Sequence, residues 1–443
     1  MDYQDCADRL TELYGYRPEE REALFRNLPA LLGALGHPER ELRGMLVVGT
    51  NGKGSTSAFA VSALTSTGAR AGSMPSPHLQ EPRERIRVNG VPVTREEYTA
   101  AFTEVREAIG RHGLPVTASG MCSATAAAHF RRAGVELAVA EASIGGRWAA
   151  ARFLDLDVKV VTGIALDHTE LLGDSLALIA EAKVGVVRDG EHAVLGRIPP
   201  EAAEAAERML AKRAGLSVWR MDQEIRYTVH PAPDASGPLV DVTTPRAVHR
   251  GLPCPLPGAH QHHNLALAVA AVDALADRGH VQDLDDERLR RALAATRWPG
   301  RLELLTEARL DDWTGRVLLD GATNPQGVAT VAPEILRQAE RGSGRTVLVF
   351  AAMRGKDVDG MLAPLPEHWP VVITRTGAAE AADPDALRAR LAPGRRTSSV
   401  TAPDAAAALR RAAELAGPDG LIVVLGSLRL VGETRTALGL PPA

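Results

Sequence analysis

Val47-Val48-Gly49-Thr50-Asn51-Gly52-Lys53-Gly54-Ser55-Thr56 decides the fold. The apolar residues 45–48 in front of the glycines predict a short buried strand. Residues 57–65, rich in Ala, Val and Leu, predict a helix behind them. Strand, glycine loop and helix form the setting that a phosphate-binding loop needs. Glycines let backbone N–H groups close around phosphate oxygens, and the helix start adds partial positive charge. Lys53 would reach the outer phosphates, and the hydroxyls of Ser55 and Thr56 can serve phosphate or Mg²⁺. The general pattern sets Ser or Thr directly after the Lys; here Gly54 intervenes.

The bulk properties narrow the field. A chain of 443 residues is too long for one ordinary core and predicts two domains with a small insert. Hydrophobic content of 45% and charged content of 24% are those of a globular protein. The net charge of −4, with no long basic run, argues against nucleic acid as the main partner. Cys6, Cys122 and Cys254 are scattered and odd in number, so they make neither a disulfide framework nor a zinc spacing. There is no apolar signal core, and no run approaches the roughly 20 residues of a membrane span. The expectation is a cytoplasmic monomer without nucleic-acid or membrane partners.

Along the chain, residues 1–43 look helical. Val88-Asn89-Gly90-Val91 carries a hairpin signal. Thr94 and Glu97 start a helix that Gly110 and Gly113 stop. Residues 135–140 and 158–162 read as strands, with Glu141 at the end of the first and His168 beyond the second. Residues 174–187 read as a helix carrying Lys183 between apolar or small neighbours. Residues 190–256 read as a small β-rich insert, with strand-like pieces at 216–220, 224–229 and 239–243. Ala294 to Arg301 looks like a hinge between domains 1–296 and 297–443. Beyond it, strands at 317–319, 346–350, 371–374 and 421–425 alternate with helices at 325–341, 383–391 and 403–416, a second parallel α/β domain. In such sheets ligands gather outside the carboxyl ends of the strands, where Glu141, His168 and the glycine loop all fall. Taken singly, a strand-end Glu and a loop His are ordinarily structural. Beside a phosphate loop they make a Mg²⁺ shell that nucleotide oxygens can complete.

The loop variant Gly-Thr-Asn-Gly-Lys-Gly-Ser resembles that of folylpolyglutamate and dihydrofolate synthases, members of the Mur ligase superfamily. Further resemblance lies in Ser76-Pro77-His78-Leu79, Asp167-His168-Thr169-Glu170-Leu171-Leu172-Gly173, Gly258-Ala259-His260-Gln261-His262-His263-Asn264 and Asp320-Gly321-Ala322-Thr323-Asn324-Pro325. It implies a Mur-ligase-like α/β fold: a P-loop ATPase domain with a mostly parallel sheet and a small β-rich insert, then a smaller Rossmann-like domain. It also implies ATP at Gly49, Thr50, Asn51, Gly52, Lys53, Gly54, Ser55, Thr56, Asn264, Arg301 and Asp320. Mg²⁺ would be held by Ser55, Ser76, Glu141 and His168, and a carbamylated Lys183 would hold a second ion. Lys53, His168 and Lys183 become the catalytic candidates. The implied reaction activates a carboxylate as an acyl phosphate and captures it with an amino acid amine.

Departures from the family pattern cluster on the substrate sides. The family's Leu-Asp-Ala-Thr-Asn after Gly-Gly-Arg is replaced by Trp148-Ala149-Ala150-Ala151-Arg152, following Arg147. Its Phe-Glu appears as Met121-Cys122, and its His within Asp-Gly-Ala-His-Asn-Pro is Thr323. Ser427 is a candidate on the amino-acid side. The expectation drawn from these changes is an ADP-forming ligase for a small-molecule carboxylate other than a folate, with glutamate or another amino acid as acceptor. The alternatives are a genuine folate enzyme and a nucleotide-binding homologue without catalysis.

Overall fold

A computed structural model describes residues 1–15, 24–146, 149–232 and 237–443. The chain divides into two compact units, one of residues 1–255 and 261–297, the other of residues 256–260 and 298–443.

The first unit is built on an eight-stranded sheet in the order β4-β3-β2-β5-β1-β6-β7-β8. These strands are β1 (Arg43–Val48), β2 (Ala71–Met74), β3 (Arg87–Val88), β4 (Val91–Pro92), β5 (Leu137–Glu141), β6 (Val158–Val161), β7 (His192–Leu195) and β8 (Ser217–Arg220). From β2 to β8 every neighbour is parallel; the β3–β4 hairpin adds an antiparallel edge. Parallel strands covered by helices on both faces read as continuous apolar runs, as Met45-Leu46-Val47-Val48 and Leu137-Ala138-Val139-Ala140 do. The hairpin turns through Asn89 and Gly90, both with positive φ, as the sequence signal requires.

The expected insert is smaller than 190–256. His192-Ala193-Val194-Leu195 and Ser217-Val218-Trp219-Arg220 continue the main sheet as β7 and β8, and the amphipathic helix Pro200–Leu210 crosses between them. The expected insert strand at 216–220 therefore belongs to the main sheet. Only β9 (Arg226–Pro231), β10 (Pro238–Thr243) and β11 (Val248–Pro253) form the separate antiparallel sheet.

That small sheet is tied down by a buried charge cluster. His249 of β11 is 2% exposed; its Nδ1 lies 2.8 Å from Asp286 Oδ1 and its Nε2 lies 3.1 Å from Asp273 Oδ2. Asp273 also accepts from Thr244 Oγ1 at 2.6 Å. Burial alone would push the imidazole pKa down, but the two carboxylates outweigh it and hold it above its ordinary value. The stabilisation is therefore fully present below the unfolded pKa of about 6.5 and is lost as pH rises through the folded pKa. His249→Gln is expected to flatten the fall in thermal midpoint across that window. An unchanged pH slope in melting curves would reject this role.

The second unit holds a six-stranded sheet, β12-β13-β17-β14-β15-β16. Its strands are β12 (Glu303–Leu310), β13 (Trp313–Leu319), β14 (Thr346–Phe350), β15 (Val371–Ile373), β16 (Ser399–Thr401) and β17 (Leu421–Leu425). All neighbours are parallel except β12 with β13, which turn through Asp311 at φ 50°. The alternation of these strands with helices such as Pro325–Glu340 and Ala405–Ala416 is the Rossmann-like pattern expected.

Candidate active site

The sheet register sets up one edge of the first unit. Ala140 pairs with Met74, Val47 with Glu141, and Val48 with Val161. The carboxyl ends of β2, β5, β1 and β6 therefore fall side by side. Ser76 follows β2, Glu141 ends β5, the glycine loop follows β1, and Thr162 to His168 follow β6. Four groups far apart in sequence are gathered along one edge by strand order alone.

The loop between β1 and the helix Lys53–Ser66 is held open in a shape only glycine suits. Gly49 has φ 145° and Gly52, the helix N-cap, has φ 88°. A Cβ at Gly49 would stand 2.0 Å from Thr162 Oγ1, and one at Gly52 would stand 2.6 Å from Asn264 Oδ1. Thr162 Oγ1 donates to Asn51 O at 2.6 Å, and Thr50 Oγ1 donates to Ala165 O at 3.1 Å. Asn264, in the helix His260–Asp277, donates to Gln261 Oε1 at 2.9 Å and so lies fixed beside the loop. Ser55 and Thr56 are both buried, and Thr56 Oγ1 has no hydrogen-bond partner among the described residues.

Two lysines converge on one carbonyl. Lys53 Nζ donates to Gly49 O and Thr50 O, each at 3.0 Å. Lys183, in the helix Leu176–Val184, donates to the same Gly49 O at 2.8 Å and is 4% exposed. Burial, then the charge of Lys53, pulls the Lys183 pKa down to about 7; Asp167 pulls the other way. An amine poised near neutrality can act as a nucleophile, which a surface lysine cannot.

The residues expected to hold Mg²⁺ are less uniform. Glu141 is 4% exposed, and its charge acts on Arg85, whose guanidinium also donates to Ser76 Oγ at 3.3 Å. Ser76 and Glu141 thus share a neighbour. His168 has left-handed backbone, φ 50°, caps the short helix Thr169–Leu172, and keeps its Nδ1 3.8 Å from Glu170 Oε1. Among the described residues no group of three or more His, Cys, Asp or Glu side chains is arranged to hold a metal alone. A hard cation fits this donor set only with hydroxyl and nucleotide oxygens completing its shell.

In the second unit, Asp320 follows β13 and Ser427 follows the neighbouring β17. Asp320 is 3% exposed and accepts from the backbone N–H of Leu302 at 2.9 Å and of Ala322 at 2.8 Å; burial pushes its carboxyl pKa up. Arg301 lies close: a Cβ on Gly321 would meet its Nη1 at 2.6 Å. Ser427 is 2% exposed and its hydroxyl caps the helix Leu428–Ala437 by accepting from Leu430 N at 3.4 Å. Thr323 is half-buried.

The other substrate-side candidates separate. Met121 and Cys122 both belong to the hydrophobic core of the first unit. Cys122 is buried beside Arg85, and burial pushes its thiol pKa up. Arg152 stacks over Phe153, with 5.2 Å between guanidinium and ring centre. Arg147 and Trp148 lie outside the described residues. The roles of Arg85 and Thr162 escaped the sequence reading. Thr162 was legible as a hydroxyl at the end of an apolar strand; Arg85 was marked only as part of Glu84-Arg85-Ile86, a segment resembling the family's.

Comparison with known proteins meets this geometry. A family model described as "Mur ligase, glutamate ligase domain" matches residues 300–428. The dihydrofolate synthase/folylpolyglutamate synthase of Mycobacterium tuberculosis is 32% identical over 461 residues, covering 96% of this chain and 92% of its own. The chain belongs to the folylpolyglutamate synthase/dihydrofolate synthase family. A crystal structure of the Mycobacterium tuberculosis folylpolyglutamate synthase, complexed with ADP and AMPPCP, matches the whole of both chains with a TM-score of 0.86 and 31% identity. E. coli FolC in complex with DHPP and ADP matches with a TM-score of 0.80 and 26% identity, over 98% of this chain and 97% of that one. The Mur-ligase-like fold expected from the sequence is thereby the observed one. Within this family the 300–428 match carries Arg301, Asp320, Thr323 and Ser427 into the glutamate ligase domain.

Proposed function

We propose that this chain is a folate-directed synthase, using ATP and Mg²⁺ to join glutamate to a pterin-bearing carboxylate. As a member of its family it is an ATP-dependent, ADP-forming carbon–nitrogen ligase. A carboxylate oxygen of the acid attacks the γ-phosphorus and the bond to the ADP oxygen breaks. The glutamate amine then attacks the acyl carbon, gives up a proton, and inorganic phosphate leaves with the C–O bonding pair. The product is an amide.

The observation that carries the reading is the convergence of Lys53 and Lys183 on the Gly49 carbonyl, at the edge that also bears Ser76 and Glu141. The loop N–H groups and Lys53 offset the charge spread over the transferring phosphoryl oxygens. Ser55, Ser76, Glu141 and His168 would hold the Mg²⁺, which when bound supplies positive charge to the phosphates. Lys183, whose burial pulls its pKa down to about 7, is suited to carbamylation and to holding a second ion. Asn264, Arg301 and Asp320 would position the nucleotide.

Relatives across bacteria that carry folate names support a folate acid, and a non-folate acid gains nothing from them. The sequence departures weigh less than expected because Met121 fills core. Cys122 fills the same core, so only Thr323 still favours a second reading, an acid with a different head group. The test supplies dihydropteroate or tetrahydrofolate with glutamate, ATP and Mg²⁺, and follows ADP and product mass. Stoichiometric glutamylated product is expected. ADP released only with some other acid would sink the folate reading and leave the ligase.

A further inference from the structure

Some buried charges in the first unit have partners of opposite sign. Lys159 has Glu191 at 2.6 Å, and His249 has two aspartates. Arg85 differs. It is 6% exposed, and among the described residues no carboxylate reaches ion-pair distance; each of its three nitrogens donates to a neutral acceptor, and Cys122 lies within reach as well. Nε donates to His78 Nδ1 at 2.8 Å, Nη1 to Ser76 Oγ at 3.3 Å, and Nη2 to Tyr14 Oη at 2.8 Å. A buried guanidinium without a counter-ion is a poor way to gain stability. What these contacts supply is geometry, since a planar fork fixes three directions at once.

The neighbouring residue works on the same loop. Glu84, 1% exposed, accepts from the backbone N–H of Leu79 at 2.7 Å, Gln80 at 3.1 Å and Glu81 at 3.0 Å. Consecutive buried side chains therefore hold residues 76–81 from inside, Glu84 by the backbone and Arg85 by the side chains. Because its Nδ1 accepts, His78 carries its proton on Nε2.

We propose that Arg85 is a positioning residue for the metal-side hydroxyl: it fixes Ser76 and His78 at the end of β2, beside Glu141, and anchors them to Tyr14. This rests on the reading of Ser76 and Glu141 as Mg²⁺ holders. Arg85 itself touches neither nucleotide nor metal in this role. A guanidinium that merely filled space could be replaced by Met without moving the loop.

The test compares Arg85→Met, Arg85→Lys, Tyr14→Phe and Ser76→Ala in the full chain. Hydrogen exchange of the ligand-free protein reports the loop directly. Arg85→Met is expected to speed exchange over residues 76–81 by roughly tenfold and to raise the Mg²⁺ needed for half-maximal rate by a similar factor, as loss of an outer-shell partner does. ADP binding without metal should stay unchanged. Arg85→Lys keeps the charge but loses the fork, so it should recover only part. Tyr14 is 44% exposed, so Tyr14→Phe keeps the proposal testable should Arg85→Met fail to fold; a smaller shift in the same two readouts is expected. Unchanged loop exchange and Mg²⁺ requirement in the variants that fold would overturn the proposal. If Ser76→Ala leaves the Mg²⁺ requirement alone, the metal reading of this edge fails instead, whatever Arg85 does.

Discussion

Lys183→Ala is expected to abolish ligation, by about 10²–10³-fold or more in kcat, while leaving ADP affinity within about a factor of three. The asymmetry follows from where the amine points. It donates to the carbonyl of Gly49, not to the N–H groups that a phosphate would use. Its burial, and then the charge of Lys53, drive its pKa to about 7. Removing it takes away no phosphate donor, so the nucleotide still binds. What is lost is an amine that can be neutral at working pH. Lys183→Arg should therefore be as inactive as Lys183→Ala, since a guanidinium stays charged and would sit against Lys53. In the unmodified protein the rate should decline as pH falls through about 7. Calorimetry for ADP, and ADP release with glutamate and acid, separate the two effects. Wild-type turnover in either variant would remove Lys183 from the mechanism.

That lysine also shows how far the sequence could be read. Strand, glycine loop and helix were plain in Val47-Val48 and the glycines after them, because the signal is local and each residue has one physical job. The placement of Glu141 beside the glycine loop followed from a rule about strand ends, and strand order delivered it; Ser76 was marked only by resemblance. The Lys183 contact joins residues 134 apart in the chain, and no periodicity announces it. Resemblance marked the residue; only the fold gives its target. The second sheet edge was hidden for another reason. His192-Ala193-Val194-Leu195 is four residues long, and the helix after it is rich in Ala and Glu, so neither is distinctive alone. β12 was obscured by amphipathicity: Glu-Leu-Leu-Thr-Glu-Ala-Arg-Leu is half-exposed, so it lacks the apolar run that revealed β14 and β17. Arg85 lies in Glu84-Arg85-Ile86, a segment that resembles the family's, but its role stayed hidden because its meaning lies in the missing counter-ion, and a sequence cannot show an absence.

Gly49→Ala should cost both nucleotide binding and stability, and the two losses have different origins. The backbone there has φ 145°, where an L side chain is strained, typically by about 1–3 kcal/mol. The new Cβ would also lie 2.0 Å from Thr162 Oγ1 and 3.1 Å from Thr162 N. Thr162 cannot swing aside cheaply. It is β-branched, it sits on a buried strand end, and its hydroxyl holds Asn51 O at 2.6 Å. Relief must come from separating the loop from β6, which dislocates the N–H groups that face phosphate. We expect ADP affinity to fall by at least about 100-fold, which is roughly 2.7 kcal/mol of binding. Gly49→Ala combined with Thr162→Ala removes the Oγ1 clash but not the strain, and it also cuts the tie to Asn51. It should therefore regain part of the lost thermal midpoint and little of the affinity. Gly68 offers the comparison: its φ is 89°, yet a Cβ there meets nothing within 4 Å. Gly68→Ala should show the backbone cost alone, with ADP binding intact. Should Gly49→Ala bind ADP as tightly as Gly68→Ala does, the loop is not gripping phosphate through its backbone.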